Sequence, residues 1–146
     1  MCVRQVTSSE LDAKSEPARV VVGRQAVRCV TQNAQNQWFI INLKSVKVRP
    51  TKYTLRHYST WDQEALRNWR FAGSVDGKAQ HWDTLIEHKN DMSLTRKGQT
   101  ATWTVPASAA KKHYSYFCII QTGKNSNNNM FLALSGFEVY GSVILS

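Results

Sequence analysis

Apolar residues come in short bursts along the chain, separated by polar turns at spacings of roughly 10 to 15 residues, and no burst keeps a 3.6-residue period long enough for a core helix. This pattern predicts strands over residues 38–43, 52–58, 69–74, 83–88, 100–105, 116–121 and 132–140. Within 52–58, Tyr53, Leu55 and His57 share one face, and Thr54, Arg56 and Tyr58 share the other. Asp76-Gly77 lies between two strand-like runs, where glycine supplies the positive φ of a tight turn, so 69–88 reads as a hairpin. Helix is expected only as single turns at 61–67 and 107–112. The reading is an all-β fold, an antiparallel jelly-roll sandwich of about eight strands. Leu55, Trp69, Phe71, Phe117, Ile119, Leu134 and Phe137 are its expected core. Residues 1–18 are polar and aperiodic and read as a linker or partly ordered lead-in, with the domain over 19–146.

A length of 146 residues suits one domain, and 42% hydrophobic with 20% charged residues excludes a disordered chain. Apolar runs such as Phe39-Ile40-Ile41 are far too short to span a bilayer, so no membrane span is expected. Glu10, Asp12 and Lys14 stand where a secretory signal needs apolar residues, and no Asn-x-Ser/Thr acceptor occurs; the expected location is cytoplasmic. Cys2, Cys29 and Cys118 are odd in number and widely spaced, so unpaired thiols, no metal and no cofactor are expected. A net charge of +9 points to an acidic partner, though no block of five like charges concentrates it.

Little in the sequence points to catalysis. There is no G-x-S-x-G elbow, Gly-rich phosphate loop or H-E-x-x-H. Cys118 reads as a small buried residue and His57 as a hydrogen-bonded core histidine. The carboxylate pairs Asp62/Glu64 and Asp83/Glu87 read as solvated surface. Trp38, Trp69, Trp82 and Trp103 are taken as core. Trp61 is different, because the polar connection around it has no strand face to fill. It could stack on a sugar, a base or a peptide side chain, or anchor its own loop. Arg56 and Arg67 could fork onto carboxylate or phosphate, or rigidify the turn between them. The loop Gln121–Asn129 could hydrogen-bond a sugar or a peptide backbone, or be an ordinary long turn.

Several motifs fall in a recognisable order: Tyr53-Thr54-Leu55-Arg56-His57, Ala65-Leu66-Arg67-Asn68-Trp69, Ser74-Val75-Asp76-Gly77 followed by Trp82, Leu85 and His88, Thr100-Ala101-Thr102-Trp103, Gln121-Thr122-Gly123-Lys124-Asn125, and Leu134-Ser135-Gly136-Phe137-Glu138-Val139-Tyr140-Gly141. From about residue 25 to residue 143 the chain resembles the galactose-binding-like β-sandwich of the discoidin or coagulation-factor type C superfamily. The variant embedded in HECT-type ubiquitin ligases and some BTB-domain proteins is the nearest in pattern. Ala79-Gln80 is an apparent insertion before Trp82. The resemblance implies a non-catalytic recognition module that presents its ligand surface on loops at one end of the sandwich. The residues it places there are Arg56, Trp61, Arg67, Asn68, Lys124 and Asn125. The expected ligand is a protein or peptide, with acidic character suited to the cations. A carbohydrate is the alternative, and nucleic acid or another polyanion the second alternative.

Overall fold

In the computed structural model, which describes residues 5–145, eight strands form two antiparallel sheets. The strands are β1 (Gln5–Ser8), β2 (Trp38–Asn42), β3 (Val46–Arg56), β4 (Trp69–Ser74), β5 (Asp83–His88), β6 (Thr100–Thr104), β7 (Tyr116–Gln121) and β8 (Gly136–Leu145). One sheet has the order β1-β2-β7-β4-β5 and the other β6-β3-β8. Period two decides what they bury: Phe39, Ile41, Phe71, Phe117 and Ile119 from the first sheet meet Tyr53, Leu55 and Phe137 from the second. Tyr53 stacks on Phe71 at 3.8 Å between centroids, and Phe71 on Phe117 at 5.5 Å. All seven expected core residues, Trp69 and Leu134 among them, are buried.

The same alternation corrects two of the expected core tryptophans. Because Phe39 and Ile41 face inward, Trp38 and Ile40 are turned to the outer side of the five-stranded sheet. Trp82 ends a connection that folds back over that side. Together they line a groove of about 500 Å³ with Ala72, Cys118 and Ile120. Trp69 is fully buried, and Trp103 packs partly exposed against the core.

Other departures are local. The turn expected at 61–67 is irregular, that at 107–112 forms as one hydrogen-bonded turn in which Ala109 N and Ala110 N donate to Pro106 O, and the short helix is a 3-10 turn at Ala18–Val22. Gln5–Ser8, within the expected lead-in, pairs with β2 along the sheet edge. Strand β3 begins six residues earlier than expected, at Val46, and passes Pro50 by a register shift between Pro50 and Lys52. A proline cannot donate to the ladder, so a bulge is where it fits.

Inside the sandwich the polar atoms of one network satisfy each other. The Trp69 indole donates to the Tyr53 hydroxyl at 3.0 Å, and that hydroxyl lies 2.5 Å from His88 Nε2. His88 Nδ1 is 3.0 Å from Asp91 Oδ2, which also accepts from the Trp103 indole at 2.9 Å. With Tyr53 donating to Nε2, the His88 proton sits on Nδ1 and goes to Asp91. Burial raises the Tyr53 hydroxyl well above its usual value and lowers His88. This Asp-His-Tyr chain ties β5 to β3 in the core.

Strand direction sends the connections 23–37, 57–68, 89–99 and 122–135 to one end of the sandwich. Cross-loop hydrogen bonds fuse them: Ser59 N to Val27 O, Gly98 N to Tyr58 O, Ser126 N to Ala65 O and Thr31 N to Leu132 O.

Candidate ligand site at the loop end

The connection after β3 is shaped by two side chains that the sequence leaves unassigned to this task. His57, fully buried, aims Nε2 at the carbonyls of Trp61 and Gln63, each at 2.9 Å. Two carbonyl acceptors require the proton on that nitrogen. Burial holds the imidazole below its usual value, so it works as a neutral clip. Glu64 then reverses the chain at φ 62°. Its carboxylate, far from solvated, is buried and accepts from the amides of Asn125 (2.7 Å), Asn127 (2.7 Å) and Asn129 (2.9 Å). Alternate residues of the asparagine-rich loop thus converge on one carboxylate. The other carboxylates expected as solvated also have partners: Asp62 accepts from Lys97 N, Asp83 from the Tyr114 hydroxyl, and Glu87 pairs with Arg70.

Between the His57 clip and the Glu64 turn, Trp61 is left half exposed, at 50%. It forms one wall of an open cavity of about 490 Å³. Tyr58 and Phe131 supply the other rings, with Val30 at the base and Asp12, Arg28, Thr60 and Glu64 as the polar members. Arg28 lies 5.9 Å from the Tyr58 ring centre, pairs with Asp12, and donates to Thr60 Oγ1 at 3.3 Å. Its Nε is buried without a protein partner. Burial works against ionisation of Asp12, but the Ser15 hydroxyl and the Arg28 guanidinium outweigh it and hold the carboxyl below its usual value.

Of the six residues expected at this rim, Trp61 alone lines the cavity. Asn125 reaches its edge through Glu64, and its own Oδ1 closes the loop by accepting from Asn127 N and Asn129 N. Asn68 bridges two loops, donating to Lys124 O at 2.9 Å and accepting from Asn90 N at 2.8 Å. Lys124 itself is exposed. Arg67 donates to Leu94 O at 2.6 Å, bracing the connection before β6. Arg56 lies elsewhere, on the outer side of the three-stranded sheet, donating to Gly23 O and Ser135 O. Asp12, Arg28, Tyr58 and Phe131 were missed. Phe131 and Tyr58 are apolar residues beside strands, and only the spatial meeting of four segments distinguishes them from core.

Other chemistry is not assembled. Among the described residues no three His, Cys, Asp or Glu side chains gather as a metal set, and no helix is long and apolar enough to cross a membrane. Cys29 and Cys118 are unpaired and buried, and burial pushes both thiols up to about 12. Cys2 lies outside the described residues.

The fold has relatives among known proteins. The solved module CBM32-5 of Clostridium perfringens, in complex with GalNAc-beta-1,3-galactose, superposes with a TM-score of 0.70 over 95% of this chain and 94% of its own, at 15% identity. It shares the discoidin or galactose-binding-like jelly roll. The chain is 41% identical over 147 residues to the E3 ubiquitin-protein ligase Ufd4 of Drosophila melanogaster, and 40% identical over 119 residues to the E3 ubiquitin-protein ligase hecd-1 of Caenorhabditis elegans. Those alignments take in 96% and 81% of this chain but only 5% and 4% of the ligases. The Sad1/UNC-like C-terminal family matches residues 12–143, nearly the whole chain, and the chain belongs to that family.

Proposed function

We propose that this domain is a non-catalytic recognition module, and that its loop-end cavity holds a side chain of a protein or peptide ligand. One observation carries the reading: most polar groups facing the cavity are already satisfied by the protein, while the Trp61 ring stands half exposed over an apolar lining of Phe131, Tyr58 and Val30. Arg28 is held by Asp12 and Thr60, and Glu64 by three asparagines. A sugar needs several free planar hydrogen-bonding groups, whereas an apolar or aromatic peptide anchor needs packing area. The similarity to ubiquitin ligases supports a role in holding a substrate or adaptor within a larger ligase. Carbohydrate is the second reading, favoured by exposed Trp61 and by the sugar complex of the similar fold.

The test is selection of peptides from a random display library against the 146-residue chain, with galactose and GalNAc titrated in parallel while the Trp61 indole signal is followed by NMR. Trp61→Ala is expected to weaken the selected peptides by about 1 to 3 kcal/mol with an unchanged melting temperature. Saturable shifts of the Trp61 signal with galactose, and no peptide that depends on Trp61, would replace this reading with the carbohydrate one.

A further inference from the structure

The three-stranded sheet β6-β3-β8 turns an outer face to solvent that the loop-end cavity does not involve. Its charge is distributed in one way only. Across the three strands there are four basic residues, Lys47, Arg49, Lys52 and Arg56, and one acidic residue, Glu138. All four cations sit on the central strand. All four also lie on its outer side: Val48, Pro50, Tyr53 and Leu55 are the buried positions, and the bulge after Pro50 keeps the alternation outward at Lys52 and Arg56. Among the described residues none of the four is in an ion pair. Glu138 is occupied by the Tyr140 hydroxyl.

Like charges along one strand repel and cost stability. Sheet packing does not need them, since the neighbouring strand fills its outer positions with Thr100, Thr102 and Thr104. Those short side chains flank Lys52 and Arg56, and Arg56 and Glu138 line a trough of about 270 Å³ there, while Arg49 and Lys52 are exposed. Arg49 donates to Ala110 O, bringing the connection that carries exposed Lys111 to the foot of the row.

We propose that this face docks an extended acidic polypeptide segment with carboxylates at alternate residues, at a site separate from the loop-end cavity. Same-side positions of a strand recur about every 6.7 Å, and an extended peptide laid along β3 repeats at the same rise. Carboxylates on every second residue therefore fall along outer positions 47, 49, 52, 54 and 56, all cationic but Thr54, over a row of about 30 Å. A nucleic acid fits less well. Unspecific single-strand binding uses open aromatic planes, and Lys52 already stands over the Tyr140 ring at 5.4 Å, with Glu138 beside it.

The test uses fluorescence anisotropy with three labelled probes of about ten units: a peptide alternating Glu and Ser, a peptide of the same composition with its Glu residues in one block, and oligo-dT. They are titrated into the wild-type chain, K47E/K52E, the charge-matched control K78E/K89E in the connections before and after β5, and W61A, with circular dichroism melting of each. The alternating peptide is expected to bind saturably, to weaken about tenfold or more in K47E/K52E, and to change little in the control and in W61A. The block peptide is expected to bind more weakly than the alternating one. Equal losses in both charge-reversed variants would reduce the effect to net charge and overturn the proposal. Indifference to the arrangement of Glu would overturn the register, and tighter, β3-dependent binding of oligo-dT would assign the face to nucleic acid instead. If K47E/K52E melts early, the neutral pair K47Q/K52Q gives the same comparison, with a smaller loss expected and none overturning the proposal.

Discussion

At the scale of single residues, the site rests on Glu64 and His57, which no ligand need touch. Glu64 is a pure acceptor facing three amide donors. Glu64→Gln keeps the shape but turns one acceptor into a donor aimed at donors, so it should cost about 1 to 3 kcal/mol of stability. Amide exchange in residues 125–129 should accelerate with it, and unchanged melting and exchange would show the carboxylate is not the hub. The sequence made Trp61 legible because a large ring in a polar connection has no core to fill. It left Glu64 illegible, since a carboxylate beside Asp62 looks solvated until the asparagine loop, some sixty residues later, folds over it. Arg56 and Arg67, expected at the ligand rim with bracing of the turn as the alternative, both donate to backbone carbonyls, at Ser135 and Gly23 and at Leu94.

At the scale of elements, alternation gave the strands, and the places where it failed are places where pairing, not local pattern, sets the end. Residues 132–135 are as apolar as a strand, yet they are buried in the connection before β8. Val46–Thr51 looks unpromising with Pro50 in it, yet it pairs with Gly141–Leu145 through the bulge. Gly141 is what allows the approach: a Cβ there would stand 1.9 Å from Arg49 O. Because backbone has little room to yield, Gly141→Ala should destabilise the domain by about 1 to 3 kcal/mol and strip exchange protection from residues 46–50, whereas unaltered protection would mean the ribbon tolerates a side chain. Gly77, at φ 74° against the Tyr116 ring, is the turn glycine that the Asp-Gly signal foretold.

At the scale of the molecule, two buried imidazoles couple stability to pH. Burial holds His57 and His88 below their ordinary 6.5, so the folded chain resists protons that the unfolded chain accepts. The unfolded state therefore binds more protons once the pH drops below about 6.5, and stability is lost from there downward. Asp91, where burial is outweighed by hydrogen bonds from Ser93 and His88, is held below 3.8 and adds a further loss in stronger acid. The melting midpoint should be level between pH 7 and 8 and fall between pH 6.5 and 5; a rise over that lower interval would mean the histidines are charged in the native state. The fold class, most strands, the seven expected core residues and the buried fate of His57 followed from the sequence alone, because period two is a local property of the backbone. Which tryptophans became surface, which expected rim residues became braces, and which rings met Trp61 were decided only in three dimensions. Those outcomes depend on sheet parity and on contacts between Asp12, Arg28, Tyr58, Glu64 and Phe131, residues that no local pattern along the chain can bring together.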